Sequence, residues 1–351
     1  MKDSKKSQNF MIVWIITGAL IVLTGLLIFF FVSYSKTLGK SEKEELYKRY
    51  YAFITNDTES SFWDSVYLSS VEEGLKEDSY VEMISKNLSK EYSEKELMEI
   101  AIASGVDGII VYGGESAEMK NLIDKAYSKN IPVVTMYSDN TQSERLSFVG
   151  IGNYDLGKEY GNLIIDMVNT KTFVKDTIRV TVVIDANSED AGQNVLFSAI
   201  QETVEKENRE NKYNHAPIEV SLFPVDSTNS FSVEEAVKGL LVRKEEELPD
   251  IVVCLNEMAT TSVYQTVVDY NKVGFVNILG YHDSDAILKG IERGVIFATV
   301  SIDTTEMGQY CVDALNEYYN LGNTSQYFSV DISVINQKNV NKYMKGESDE
   351  N

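Results

Sequence analysis

Residues 93–139 read SEKELMEIAIASGVDGIIVYGGESAEMKNLIDKAYSKNIPVVTMYSD. Ser93 and Glu96 stand at capping-box spacing ahead of Leu97, Ile100 and Ala101, the start of a helix with one apolar side. The next run, GIIVY at 108–112, is apolar on both of its faces and short, which is how a buried strand reads. A second helical pattern follows, and then PVVTMY at 132–137 repeats the strand. Strands that are apolar on both faces need cover on both, and the helices between them supply it, so the unit predicts a parallel sheet.

The same unit runs through most of the chain. Before it lie YYAFIT (50–55) and YVEMI (80–84), and after it FVGI (148–151). A second series follows with RVTVVI (179–184), EVSLF (219–223), DIVVCL (250–255), NILGY (277–281) and IFATV (296–300). Two series of five predict an α/β chain of two similar doubly wound parallel-sheet lobes rather than one very wide sheet. With four prolines in 351 residues and no Gly-rich linker, the lobes have to be joined by ordered crossing segments.

Ahead of the lobes, residues 11–32 read MIVWIITGALIVLTGLLIFFFV, an uncharged run longer than the roughly 20 residues that span a bilayer as a helix. It exceeds the apolar region of a cleaved signal, about 7–15 residues, and is read as an uncleaved signal anchor. Residues 1–10 are then a cytoplasmic tail, 33–49 a polar, helical connector, and 346–351 a disordered tail. One N-terminal span with the whole body after it places that body outside the cell membrane.

Composition narrows the chemistry. The net charge of −22 disfavours nucleic acid, whose phosphates need clustered Lys and Arg. Two cysteines, Cys254 and Cys311, make no disulfide framework. The two histidines, His215 and His282, leave metal sites and Ser–His catalysis little to work with, so no metal, cofactor or enzyme activity is expected. GIGNYDLG (150–157) lacks dinucleotide spacing, and LGKS (38–41) has Tyr34 where a phosphate loop needs glycine. Parallel sheets bind ligands at the carboxyl ends of their strands. There the sequence places Asn56, Asp57, Phe62, Trp63, Asp139, Gln193, Asn194, Asn256, His282 and Asp283, a set of amides, carboxylates and aromatics suited to a small polyhydroxylated molecule. Phe62 and Trp63 either line that site or staple the helix start, and Asn56, Asp57, Asp139 and Asp283 read equally as turn and N-cap residues.

Seven segments in order, FITNDTESSFWDSVYLSSVEEG (53–74), IASGVDGIIVYGGES (102–116), AYSKNIPVVTMYSD (126–139), VGIGNYDLGKEYGNLI (149–164), PDIVVCLNEMATTSV (249–263), NILGYHDSDAILKGIERGVIFATVSIDTTEMGQYCVDAL (277–315) and YFSVDISVI (327–335), carry a resemblance. The chain resembles the type I periplasmic-binding-protein superfamily, nearest its ribose- and galactose-binding branch, over roughly residues 50–340. The resemblance implies two lobes joined by three hinge segments, near Phe148–Gly152, Thr299–Asp303 and Tyr327–Val330, with a ligand in the cleft between them. Lobe 1 would take 50–150 and 303–326, and lobe 2 would take 151–302 and 327–345, which parts the two cysteines. It also implies that Phe62 and Trp63 lie against a sugar ring, and it adds Tyr137 and Asp303 to the ligand-binding set. The family's Asp-Arg pair is replaced here by Tyr137 and Ser138, and its later arginine by Gln193 and Asn194, which points away from ribose itself.

The expected function is therefore a membrane-tethered, extracytoplasmic solute-binding protein that captures a sugar or polyol for an ABC transporter permease. The alternative is a sensing subunit that presents its bound state to a membrane sensor histidine kinase.

Overall fold

The computed structural model describes residues 24–27, 47–55, 60–186, 192–210, 215–227 and 229–344. The anchor at 11–32 apart from 24–27, the connector as far as residue 46, both terminal tails, and Asn56 and Asp57 lie outside the described residues. Among the described residues no helix is long and apolar enough to cross a membrane.

Strands and helices alternate as the sequence pattern requires. Ser93 caps helix α2 (Glu94–Ser104) with both halves of the capping box formed, and Gly105, at φ 66°, ends it in the left-handed conformation that glycine adopts without strain. Helix α1 is Ser61–Lys76 and α3 is Ala117–Ser128. Strands β1 (Arg49–Ile54), β2 (Ser79–Met83), β3 (Gly108–Tyr112), β4 (Val133–Met136) and β5 (Ser147–Gly150) form a parallel sheet ordered β2-β1-β3-β4-β5, with β11 (Tyr327–Ser329) added beyond β5. Alternation within the strands sorts the core. Ala52, Ile54, Ile109 and Val111 face Met98, Ile102 and Ile123 on one side. Tyr51, Phe53 and Ile110 face Val66, Met307 and Leu315 on the other.

The second lobe repeats the plan. Strands β6 (Ile178–Asp185), β7 (Ile218–Val225), β8 (Ile251–Cys254), β9 (Asn277–Tyr281) and β10 (Ile296–Ile302) run β7-β6-β8-β9-β10, and β12 (Ile332–Asn336) closes the edge antiparallel to β10. Its helices are α4 (Asn153–Thr170), α5 (Gly192–Glu210), α6 (Ser230–Leu241), α7 (Glu257–Asp269) and α8 (Asp285–Glu292), while α9 (Thr304–Leu321) returns to the first lobe. Cys254 and Cys311 are buried and free, one in each lobe.

One boundary moves. Tyr327–Ser329 pairs parallel with Phe148–Gly150, so these residues extend the first sheet instead of opening the second lobe, and the third crossing falls at Val330 and Asp331. Register explains it: the two aromatics Tyr327 and Phe148 stack at 5.6 Å when the strands pair this way. The three crossings lie side by side, since the Val330 N–H donates to the Gly150 carbonyl at 3.0 Å and the Asp303 N–H to the Asp331 carbonyl at 3.0 Å.

Helices α1 and α9 touch through Gly308, where an added methyl would meet the Val66 carbonyl oxygen at 2.4 Å and Ser69 Cβ at 2.7 Å. Neither neighbour is the free end of a flexible side chain. Gly308→Ala is expected to cost about 2 kcal/mol of stability through overpacking, read as a lower denaturant midpoint at unchanged slope.

Candidate functional site

A strand order of 2-1-3-4-5 leaves a crevice where the winding reverses, between β1 and β3 in the first sheet and between β6 and β8 in the second. The carboxyl ends of both sheets border one cleft of about 580 Å³, inside the range of roughly 300–1,000 Å³ typical of small-molecule sites. The first lobe contributes Phe62 and Trp63 from the first turn of α1, Tyr112 from the end of β3, Tyr137 just after β4, and Met307. The second contributes Asn153, Asp185, Gln193, Ser227, Asn256, Glu257, Tyr281 and His282.

The aromatic wall is built edge to face. Phe62 meets Trp63 at 4.8 Å and Tyr137 at 5.7 Å, and Trp63 meets Tyr112 at 5.9 Å. Two contacts reach across the lobes, Phe62 to His282 at 5.0 Å and Tyr137 to Tyr281 at 6.4 Å. The rings of Phe62 and Trp63 border the cleft, yet they are only 7% and 5% exposed because neighbouring rings cover the rest, and both lie past the Ser60 N-cap instead of before it, where a staple residue stands. Burial first, and then the neighbouring Tyr137, push the Tyr281 phenol well above its usual pKa, so it stays protonated.

Tyr137 and His282 occupy matching places, each the residue after the fourth strand of its lobe. Both hold left-handed backbone, φ 67° and 78°, which is costly for a residue with a side chain. Each N–H is tied to the neighbouring strand, Tyr137 to the Val149 carbonyl at 2.9 Å and His282 to the Val300 carbonyl at 2.8 Å. The turn aims both rings at the cleft. His282 Nδ1 lies 3.0 Å from Asp283 Oδ1, and its Nε2 lies 3.7 Å from Glu257 Oε2 without a hydrogen-bond partner. Burial alone would raise the Asp283 carboxyl, but hydrogen bonds from His282 and Ser301 bring it below the ordinary value.

Of the residues named from sequence, Phe62, Trp63, Tyr137, Gln193, Asn256 and His282 come together on the cleft. Asn256 also caps α7, its Oδ1 accepting from the Ala259 N–H at 2.7 Å. The other described ones do not line it. Asp139 is taken up by Arg145, whose Nε and Nη2 both donate to its carboxylate, and by Thr135 and the Asn140 N–H. Asn194 is exposed on α5, one residue beyond Gln193 and so turned off the cleft side. Asp283 stands behind His282. Asp303 is exposed and caps α9, accepting from the Glu306 N–H at 2.9 Å. Asp303→Ala is accordingly expected to cost about 1 kcal/mol in stability, seen in the unfolding midpoint, with ligand affinity unchanged in titration.

Sequence reasoning left out Tyr112, Tyr281, Asn153 and Asp185 as site residues. The signal for Tyr112 and Tyr281 was present: each is an aromatic at the last position of a strand that is otherwise aliphatic, at the end where ligands bind. Among the described residues no group of three or more His, Cys, Asp and Glu is placed to hold a metal. The arrangement offers flat apolar faces, amides and carboxylates, which is the means of gripping a small polar solute.

Residues 51–324 match the family described as periplasmic binding protein domain. No curated protein matches the chain. Among solved structures, the chain is similar to GanP, a glucose-galactose binding protein from Geobacillus stearothermophilus, at 20% identity over 83% of this chain and 98% of that one, with a TM-score of 0.71. The sugar-binding protein of a sugar ABC transporter from Bacillus halodurans is 19% identical over 84% and 100%, with a TM-score of 0.68. XylFII in its complex with LytSN is 21% identical over 83% and 98%, with a TM-score of 0.65. Likeness at these identities speaks to the fold.

Proposed function

Because the chain belongs to the periplasmic binding protein domain family, we propose that it is a membrane-tethered, extracytoplasmic solute-binding protein that captures a sugar or polyol between its lobes for an ABC transporter. The observation that carries this reading is the cleft itself: both sheets present their carboxyl ends to one space walled by Phe62, Trp63, Tyr112 and Tyr137 and edged by Asn153, Gln193 and Asn256. Rings cover the C–H faces of a pyranose, and amides donate to and accept from its hydroxyls. Solved neighbours described as sugar-binding proteins agree with that chemistry. The uncharged run at 11–32 supports the tether, which would hold the lobes beside a membrane partner at high local concentration.

A second reading, presentation of the bound state to a membrane sensor kinase, is favoured by one specific observation: a neighbour of the same fold, XylFII, is known in complex with another protein, LytSN. Permease and ATPase genes beside this one would favour uptake, and a kinase with a response regulator would favour sensing.

The test of the ligand class is thermal unfolding of the full chain in detergent against sugars and polyols. A ligand at about a hundred times its Kd adds about 2.7 kcal/mol, enough to raise the midpoint by several degrees. A panel of sugars and polyols without any shift would refute the reading.

A further inference from the structure

The cleft is short of positive charge. Among the described residues, the segments that follow β3, β4, β7, β8 and β9 (113–116, 137–146, 226–227, 255–257 and 282–284) contain six Asp and Glu and one Lys or Arg, Arg145. That base is already held by Asp139 through two nitrogens. At the end of the edge strand β2, Lys86 is held by Asp64 at 2.6 Å. No Lys or Arg lines the cleft among the described residues, whereas Asp185 and Glu257 do. A low-dielectric groove lined by one sign of charge focuses its field, here toward cations.

A second observation is independent of the charge count. His282 is 8% exposed and lines the cleft, and its Nε2 has no hydrogen-bond partner. Nδ1 lies 3.0 Å from Asp283 Oδ1, and in the tautomer whose proton sits there the ring presents a lone pair at Nε2, 3.7 Å from the Glu257 carboxylate. Two acceptors side by side leave a place for a donor that belongs to neither. Phe62 meets the His282 ring edge to face at 5.0 Å and packs against Trp63 and Tyr137, so the corner has an aromatic wall.

We propose that the solute of this cleft carries a protonated amine, an amino sugar or an amino-polyol of similar size, whose ammonium donates to Glu257 and to His282 Nε2 while its hydroxyls meet the amides. Closing the lobes over a neutral sugar would leave the Glu257 carboxylate facing His282 Nε2 with no cationic donor from the solute, and an ammonium supplies one. Anionic sugars are repelled. This inference rests on the proposed solute-binding function and narrows its ligand.

The experiment is isothermal titration of the full chain in detergent with glucosamine, galactosamine and mannosamine, each set against its neutral parent and its N-acetyl form, which keeps the ring and removes the charge. At least one amino sugar is expected to bind about tenfold tighter than both controls. The ratio should narrow between about 0.02 M and about 0.5 M NaCl, and Glu257→Gln should bring it close to unity. A neutral parent or N-acetyl form that binds as tightly as the amine overturns the ammonium while leaving a sugar-binding cleft in place. Silence from every sugar, charged or neutral, overturns the binding function as well. The salt series on the unaltered protein decides the matter even where Glu257→Gln fails to fold.

Discussion

Trp63→Ala is expected to abolish solute binding and also to lower the stability of the empty protein, by about 3 kcal/mol. Two separate losses add up. The ring is 5% exposed and sits edge-on to Phe62, Tyr112 and Tyr137, so its removal opens a void that three rings border. Truncating a buried Trp costs about 3–5 kcal/mol, and the open side toward the cleft keeps this one near the lower limit. Binding suffers because the same ring fixes the position of Phe62, whose edge contact with His282 at 5.0 Å spans the lobes. The measurement is denaturant unfolding paired with calorimetric titration at a temperature where circular dichroism shows the variant folded. A variant that binds normally would place the cleft's working face elsewhere, and one with unchanged stability would deny the packing.

Asp139→Ala should show the opposite pairing, a large loss of stability with solute affinity held within about twofold. Its carboxylate receives Arg145 at two nitrogens, Thr135 Oγ1 at 2.9 Å and the Asn140 N–H at 2.7 Å. Arg145 also reaches the Gln326 carbonyl at 3.1 Å, which ties the turn after β4 to the strand entering the third crossing. The two side chains are 16% and 17% exposed, so removing one partner strands a charge in poor solvent. Breaking a fully buried pair costs about 3–5 kcal/mol, and the residual exposure brings the expectation to about 2–3 kcal/mol. Unfolding and titration on one preparation check both halves.

These two residues also mark what a sequence can and cannot convey. The architecture was legible because it rests on local patterns: strand runs apolar on both faces, the Ser93–Glu96 box and the spacing between units, each of which acts within a few residues. An acid after a strand is different. Asp139 and Asp185 carry the same local signal, yet one is consumed by Arg145 six residues on and the other lines the cleft, and only the path of the intervening turn separates them. His282 was named for its place after a strand and Tyr137 through the resemblance, but their shared left-handed backbone follows from no residue type. The third crossing was placed a little early because Tyr327–Ser329 is as good a strand for one sheet as for the other. Pairing with Phe148–Gly150 decides between them.

That crossing has a mechanical consequence. With Gly150 bonded to Val330 and Asp331 bonded to Asp303, the three strips that join the halves form a single narrow ribbon. A ribbon bends more easily across its width than it shears along it, so the motion expected of the halves is a swing about one axis, like the covers of a book. Capture of a guest near the spine is then magnified into a larger change of spacing at the outer rims. A protein that reads occupancy from that spacing has to touch both covers at once.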